Sequence, residues 1–176
     1  VNIWDSGKVF SDKSILIPFK GLKLKSSEVY YWRVRIWNDE DKVSAWSQIN
    51  TFATGLLVNS DWGNAQWISM EKDEGRVKGI HYQEEAALPT QKVGMYKLPQ
   101  FRKQFRVKDK KISRAFAYVS GLGHFDFFLN GGKVGNHFLD AGWTLYDKEA
   151  FYVSFDITDL LQRGENVLGI MLGNGF

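Results

Sequence analysis

Six residues close together in this sequence have the chemistry to hold a sugar: Trp143, Asp140 and Tyr146, preceded by Asn130, Asn136 and His137. A pyranose presents a flat C–H face and a rim of hydroxyls. Its site therefore needs an aromatic plane and a few amides, carboxylates or imidazoles around it. Trp143 sits between Asp140 and Tyr146, with Thr144 adding a hydroxyl beside it. The same run has a structural reading. Leu139-Asp140-Ala141-Gly142-Trp143 is good turn chemistry, in which Asp140 holds a tight turn before Gly142 and Trp143 packs over a sheet end. On residue types alone both readings stand.

Other combinations carry less. His124 and His137 with Asp126 and Asp140 contain metal-ligand types, but their spacing corresponds to no compact ligand motif, and no metal or cofactor is expected. Asp156 and Asp159 form a carboxylate pair that reads as capping for a turn over Ile157–Leu161. Gly121-Leu122-Gly123 is not a nucleotide loop, because no helical pattern follows it. No Ser, His and Asp set suggests a triad, and no catalytic residue is assigned. A second aromatic pattern lies in VYYWRVRIW, residues 29–37. Its alternation puts Tyr30, Trp32, Val34 and Ile36 on one face and Tyr31, Arg33, Arg35 and Trp37 on the other. The Arg and Trp side chains read as a stacked structural ladder rather than a ligand site.

These groups must be positioned by a chain of 176 residues, enough for one ordinary domain or two small β domains. The absence of cysteine excludes disulfides, thiolate metal sites and a cysteine nucleophile. The net charge is only +3, and the one basic cluster, Lys103–Lys111 (KQFRVKDKK), reads as a solvated strand end, so no nucleic-acid partner is expected. No stretch approaches the roughly 20 apolar residues of a membrane span. Val1-Asn2-Ile3-Trp4-Asp5 has neither the basic start nor the apolar block of a signal peptide. The chain is expected to be an excised or processed piece.

Read in order, residues 1–55 are strands. Ser14–Ile17 is a short apolar run closed by Pro18, as suits a sheet edge. The alternating strand Val29–Trp37 follows, then a turn at Asn38–Asp41 and a strand over Ile49–Phe52. Residues 56–66 form a linker, with Asn59-Ser60-Asp61 as a cap or turn before Trp62. Residues 70–99 carry no sustained periodicity and are expected to be a loop or insertion. Strands return at Gln104–Val107, Ala115–Ser120 and Phe125–Asn130. Gly131-Gly132 supplies a hairpin turn, and Val134 resumes the partner strand. Phe151–Phe155 alternates, Arg163–Asn166 is a turn, and Val167–Leu172 is a buried strand.

Two resemblances follow from these motifs. The pattern Tyr30-Tyr31-Trp32-Arg33-Val34-Arg35, then Ser44-Ala45-Trp46-Ser47, then Phe52-Ala53-Thr54-Gly55 resembles the last strands of a fibronectin type III domain. That implies a partial sandwich lacking strands upstream of Val1, with Tyr30 or Tyr31 tying a corner through its hydroxyl. Tyr118 to Gly123, Leu129-Asn130-Gly131, Leu139 to Lys148, Asp156 to Leu161 and Leu172-Gly173-Asn174-Gly175-Phe176 together are similar to the N-terminal β-sandwich of bacterial α-L-rhamnosidases. Ala141 stands where that pattern usually has Pro, and Phe176 where it has Trp.

The implied fold is all-β: two tandem sandwiches, a partial fibronectin type III-like one and a jelly-roll, galactose-binding-like one over residues 67–176, both truncated. The implied activity of the parent protein is hydrolysis of terminal α-L-rhamnosyl groups with inversion. Its acid and base would sit about 6.5–9.5 Å apart in a downstream (α/α)6 barrel of the same polypeptide. Rhamnose-containing carbohydrate would be the partner, and the periplasm or cell exterior the setting. Some rhamnose-binding modules of this fold hold calcium through an Asp-Asn pair, and here that place reads Leu122-Gly123. Two alternatives remain: an independent carbohydrate-binding module recognising rhamnose-containing glycans, and a protein-interaction or adhesion piece whose fibronectin-like half is the active surface.

Overall fold

Alternation of apolar and polar residues dictates most of the elements in the computed structural model, which describes residues 3–69, 98–108 and 111–173. The chain divides into two compact units, Val1–Ala65 and Gln66–Phe176. All but the last two residues of the loop or insertion expected at 70–99 lie outside the described residues.

The first unit is built on one antiparallel hairpin. Strand β1 (Val29–Trp32) pairs with β2 (Asn50–Ala53), Tyr30 opposite Phe52. Their rings stack at 5.5 Å, a cross-strand aromatic pair of the kind that stabilises a sheet. The expected strand to Trp37 is shorter, because its pairing changes character after Trp32. The Val34 amide donates to Ser47 Oγ at 3.0 Å, and the Ile36 amide to Ser44 Oγ at 3.0 Å. Two serine hydroxyls thus replace two ladder carbonyls, and the residues between them bulge. The Trp37–Val43 bridge closes the pairing before a turn in which Asp41 has a φ of 63°.

Tyr30 is the corner tyrosine: its hydroxyl accepts the Lys25 amide at 2.8 Å. Thr54, the one buried residue among the described residues of this unit, donates to the Lys25 carbonyl at 2.6 Å. The expected strand at Ser14–Ile17 does not form. Leu16 is 91% exposed with a φ of 54°, and an apolar run without a paired neighbour has nothing to satisfy its backbone as a strand.

The second unit is two sheets closed on one core. The larger has the order β3-β8-β5-β6, from β3 (Gln100–Val107), β8 (Gly164–Leu172), β5 (Phe125–Leu129) and β6 (Gly132–Lys133). The smaller pairs β4 (Phe116–Ser120) with β7 (Tyr152–Asp156). Strict alternation in β5 sends Phe125, Phe127 and Leu129 inward, where they meet Val134, Ala141, Phe155 and Ile157. Phe127 and Phe155 join the two sheets with ring centroids 5.3 Å apart. Burying each large apolar side chain here is worth roughly 1.5–3 kcal/mol.

Two local expectations shift. The hairpin turn is Asn130-Gly131, with φ of 51° and 86°, and Gly132 already pairs with Leu129 in the strand. Positive φ at both central residues is the two-residue turn that matches strand twist. Asn166, expected in a turn, lies inside β8 and is 0% exposed.

Candidate functional site

Asp140, Trp143 and Tyr146 lie on the long connection from β6 to β7. It is anchored at both ends by backbone and core. The Asp140 carbonyl accepts the Phe125 amide at 2.7 Å, and Ala141 beside it is buried in the core. Thr144 is also buried and donates from Oγ1 to the Glu149 carbonyl at 2.6 Å. The Lys148 and Glu149 amides both donate to the Leu145 carbonyl, at 2.8 and 3.0 Å, closing a tight turn. These anchors leave the intervening side chains outside. Trp143 is 63% exposed and Phe138 is 84% exposed.

The expected sugar-binding residues separate into two groups. Asp140 and His137 come together, with Nδ1 of His137 3.1 Å from Oδ2 of Asp140, and His137 also lies against the Phe155 ring at 5.7 Å. Asn136 and Trp143 are exposed on the same connection, and Tyr146 is half-buried. Asn130 does not join them. It sits at the far end of β5 from the Phe125–Asp140 bridge, roughly 16 Å away at about 3.3 Å per residue. Its amide is already used: Nδ2 donates to Asn166 Oδ1 and to the Leu160 carbonyl, and Oδ1 accepts the Val167 amide. Asn130 serves the turn and the strand end, apart from the other five residues.

The remaining polar groups are also committed. Asp126 pairs with Lys133 at 2.6 Å, and that ammonium lies 4.9 Å from the centre of the Phe138 ring. Asp156 Oδ1 accepts from the Thr158 hydroxyl at 2.6 Å and the Thr158 amide at 3.0 Å. Those bonds hold the Asp156 carboxyl below the usual carboxylate range. Among the described residues, no three His, Asp or Glu side chains are grouped to hold a metal. A depression of ≈ 260 Å³ opens on the outer face of the larger sheet, over Gly169 and between Arg102 and Phe128. It includes none of the expected sugar-binding residues.

Two structural tethers escaped the sequence reading. Asn166 is one. The other is Asp61, whose Oδ2 accepts from the Ser26 hydroxyl and from the Leu57 and Val58 amides, the latter two at 3.1 Å. Asp61 was readable as a cap, but the Ser26 partner lies 35 residues away and no local pattern announces it.

Comparison with known proteins places this geometry. Residues 110–176 match the family model described as the alpha-L-rhamnosidase N-terminal domain, and residues 1–58 match a Rha78A-like, N-terminal immunoglobulin domain. The immunoglobulin and fibronectin type III sandwiches share one architecture, which is why the early strands resemble the latter. An alpha-L-rhamnosidase of Formosa agariphila is 41% identical over 99% of this chain, which spans 18% of that protein. The structure of alpha-L-rhamnosidase from Dictyoglumus thermophilum superposes with a TM-score of 0.80 at 34% identity, covering 98% of this chain and 19% of that one. The native enzyme from Aspergillus terreus superposes with a TM-score of 0.71 at 30% identity, covering 93% of this chain and 17% of that one. The chain therefore spans under a fifth of the proteins it matches. It belongs to the alpha-L-rhamnosidase family, in which it corresponds to the N-terminal region.

Proposed function

We propose that this chain is the accessory N-terminal portion of an enzyme that hydrolyses terminal α-L-rhamnosyl groups of glycans or glycosides with inversion. One observation carries the reading: likeness to alpha-L-rhamnosidases runs along 99% of the chain while the chain spans 18% of the relative's length. In this reading the catalytic acid and base belong to a further domain of the same polypeptide, and the two β units serve as its scaffold. Inverting hydrolysis needs two carboxyl groups held across a concave site. Asp126, Asp140, Asp156 and Asp61 are instead engaged by Lys133, His137, Thr158 and Ser26 respectively. The test is hydrolysis of an aryl α-L-rhamnoside by the polypeptide that includes the downstream domain and by this chain alone. Turnover is expected from the first and none from the second; turnover by this chain alone overturns the assignment.

A second reading, sugar binding by the β6–β7 connection itself, is favoured by the 63% exposure of Trp143 on the same connection as the Asp140–His137 pair. It predicts heat, or shifts of the Trp143 and His137 resonances, on titration with millimolar L-rhamnose or rhamnosylated oligosaccharides. Trp143→Ala should remove the response. Silence in both measurements leaves this connection a scaffold element.

A further inference from the structure

Arg33, Arg35, Trp37 and Trp46 of the first unit form a cation–aromatic ladder. Arg33 lies 4.3 Å from the centre of the Trp46 ring, and Arg35 lies 4.4 Å from the same ring and 5.1 Å from Trp37. Both arginines are exposed. Each guanidinium rests against an indole ring, and its N–H groups keep the planar fork that pairs with anions. Such a fork is the usual partner of a carboxylate, a sulfate or a phosphate. Among the described residues neither arginine has a carboxylate within ion-pair distance.

The neighbouring acids do not change that balance. Asp41 is paired with Lys8, and Glu40 with Lys42 at 2.6 Å, all at the hairpin tip or against it. Asp39 accepts the Glu40 amide there at 3.1 Å. Arg33 and Arg35, just past the end of β1, stand two residues apart and both lie against Trp46, at most roughly 7 Å from each other along the chain direction. Tyr31, 66% exposed, precedes Arg33 by two residues. The result is a stripe in which aromatic rings alternate with two cations that no described carboxylate pairs.

The geometry points to an anion-binding stripe, Arg33–Trp46–Arg35, whose occupant is an acidic polysaccharide carrying carboxylate or sulfate groups. Regularly spaced anions on an extended chain meet two forks at fixed separation, and the serine-bridged backbone under them keeps that separation. A single-stranded nucleic acid fits less well, because it binds such surfaces by stacking bases on open aromatic faces. Two cations over Trp46 leave its ring little face for a base. A neutral glycan is disfavoured for the same reason. This site is separate from the β6–β7 connection and does not depend on the hydrolytic reading, since its readout is binding.

The test titrates the 176-residue chain with chondroitin sulfate and with polygalacturonate oligosaccharides at low and at 0.5 M NaCl (an on-the-order-of value chosen to screen exposed charge), with dextran and poly-dT alongside. Binding of the acidic polysaccharides, lost at high salt and absent for dextran, is expected. Arg33→Gln with Arg35→Gln should weaken it about tenfold or more, the scale of one lost charge-assisted pair. Lys103→Gln with Arg106→Gln, in the other basic cluster, should leave it unchanged. Arg33→Lys with Arg35→Lys keeps both charges and the ladder's cations, and should still bind several-fold more weakly, because an ammonium lacks the fork. Binding that follows Lys103 and Arg106, equal binding of poly-dT, full retention in the lysine pair, or no binding by the unaltered chain each overturns the proposal.

Discussion

The side-chain oxygen of Asn166 accepts the side-chain amide of Asn130 at 2.9 Å, tying the hairpin turn after β5 to the start of β8. Asn166 Oδ1 also accepts the Gln162 amide at 2.9 Å, and its Nδ2 donates to the carbonyls of Gln162 at 2.7 Å and Gly164 at 3.1 Å. All four bonding positions of a fully buried amide are therefore filled. Asn130 answers with bonds to Val167 and Leu160, so two asparagines fasten three chain segments.

That closure makes the loss of the Asn166 side chain costly to the second unit. Asn166→Ala strands the Gln162 amide, two carbonyls and the Asn130 amide at once. Leaving buried polar groups unsatisfied costs about 1–3 kcal/mol each in the worst case, though water relieves part of it. A loss of roughly 2–4 kcal/mol in urea unfolding is expected. Asn166→Asp keeps the shape but cannot donate to Gln162 or Gly164, so it should be no milder. A loss below about 1 kcal/mol for both variants would contradict the network's role.

Tyr30→Phe separates the corner bond from the aromatic pair. The Phe52 stack at 5.5 Å survives the substitution, while the acceptor for the Lys25 amide is lost. A net hydrogen bond of this kind is worth about 0.5–1.5 kcal/mol. The Lys25 amide should exchange faster with solvent in the variant, and the first unit should unfold at correspondingly lower denaturant. Unchanged Lys25 exchange would mean that Thr54 alone holds the corner.

How much of this was legible depended on whether the signal was local. Alternation in Phe125–Leu129 fixed which residues face the core, and alternation in Val29–Trp37 placed Arg33 and Arg35 on the face where they stack. Tyr30 was one of two candidates for the corner, and only the hydroxyl's partner decided between them. Ser14–Ile17 misled because apolar residues in a row describe a strand only when another strand pairs with them. Asn166 misled because Gly-Glu-Asn is turn chemistry wherever it occurs. Its burial is set by carbonyls at Gln162 and Gly164 whose directions depend on the fold. Asn130 was read as a sugar ligand for its amide, and the fold spends that amide on Asn166.

Asp61 makes a pH-dependent tether. Its carboxyl is held below the ordinary aspartate value of 3.8, first by the Ser26 hydroxyl and then by the Val58 and Leu57 amides. A depressed folded-state value means that the carboxylate stabilises the fold fully above 3.8 and that this contribution is lost as pH falls through the folded value. The Leu57 and Val58 amide resonances should therefore titrate together with a midpoint below 3.8. In Asp61→Asn that acid-side step should vanish. A midpoint at or above the ordinary value would show that the three hydrogen bonds do not persist in solution.

Gly135 and Gly131 offer a controlled comparison of strain with crowding. Both have left-handed backbones, with φ of 77° and 86°. Any side chain at either position pays the left-handed penalty of about 1–2 kcal/mol. They differ in what a new methyl group meets. At Gly131 nothing lies within 4 Å, whereas at Gly135 the methyl would approach the Phe155 ring to 3.2 Å. Phe155 is a core residue in contact with Phe127 and cannot swing away without loosening both sheets. Gly131→Ala should therefore cost about 1 kcal/mol and Gly135→Ala roughly 2 kcal/mol or more. Urea unfolding of the two variants against the unaltered chain makes the comparison. Equal losses would mean that Phe155 yields to the methyl group, and the core at this end of the sandwich would then be looser than its burial implies.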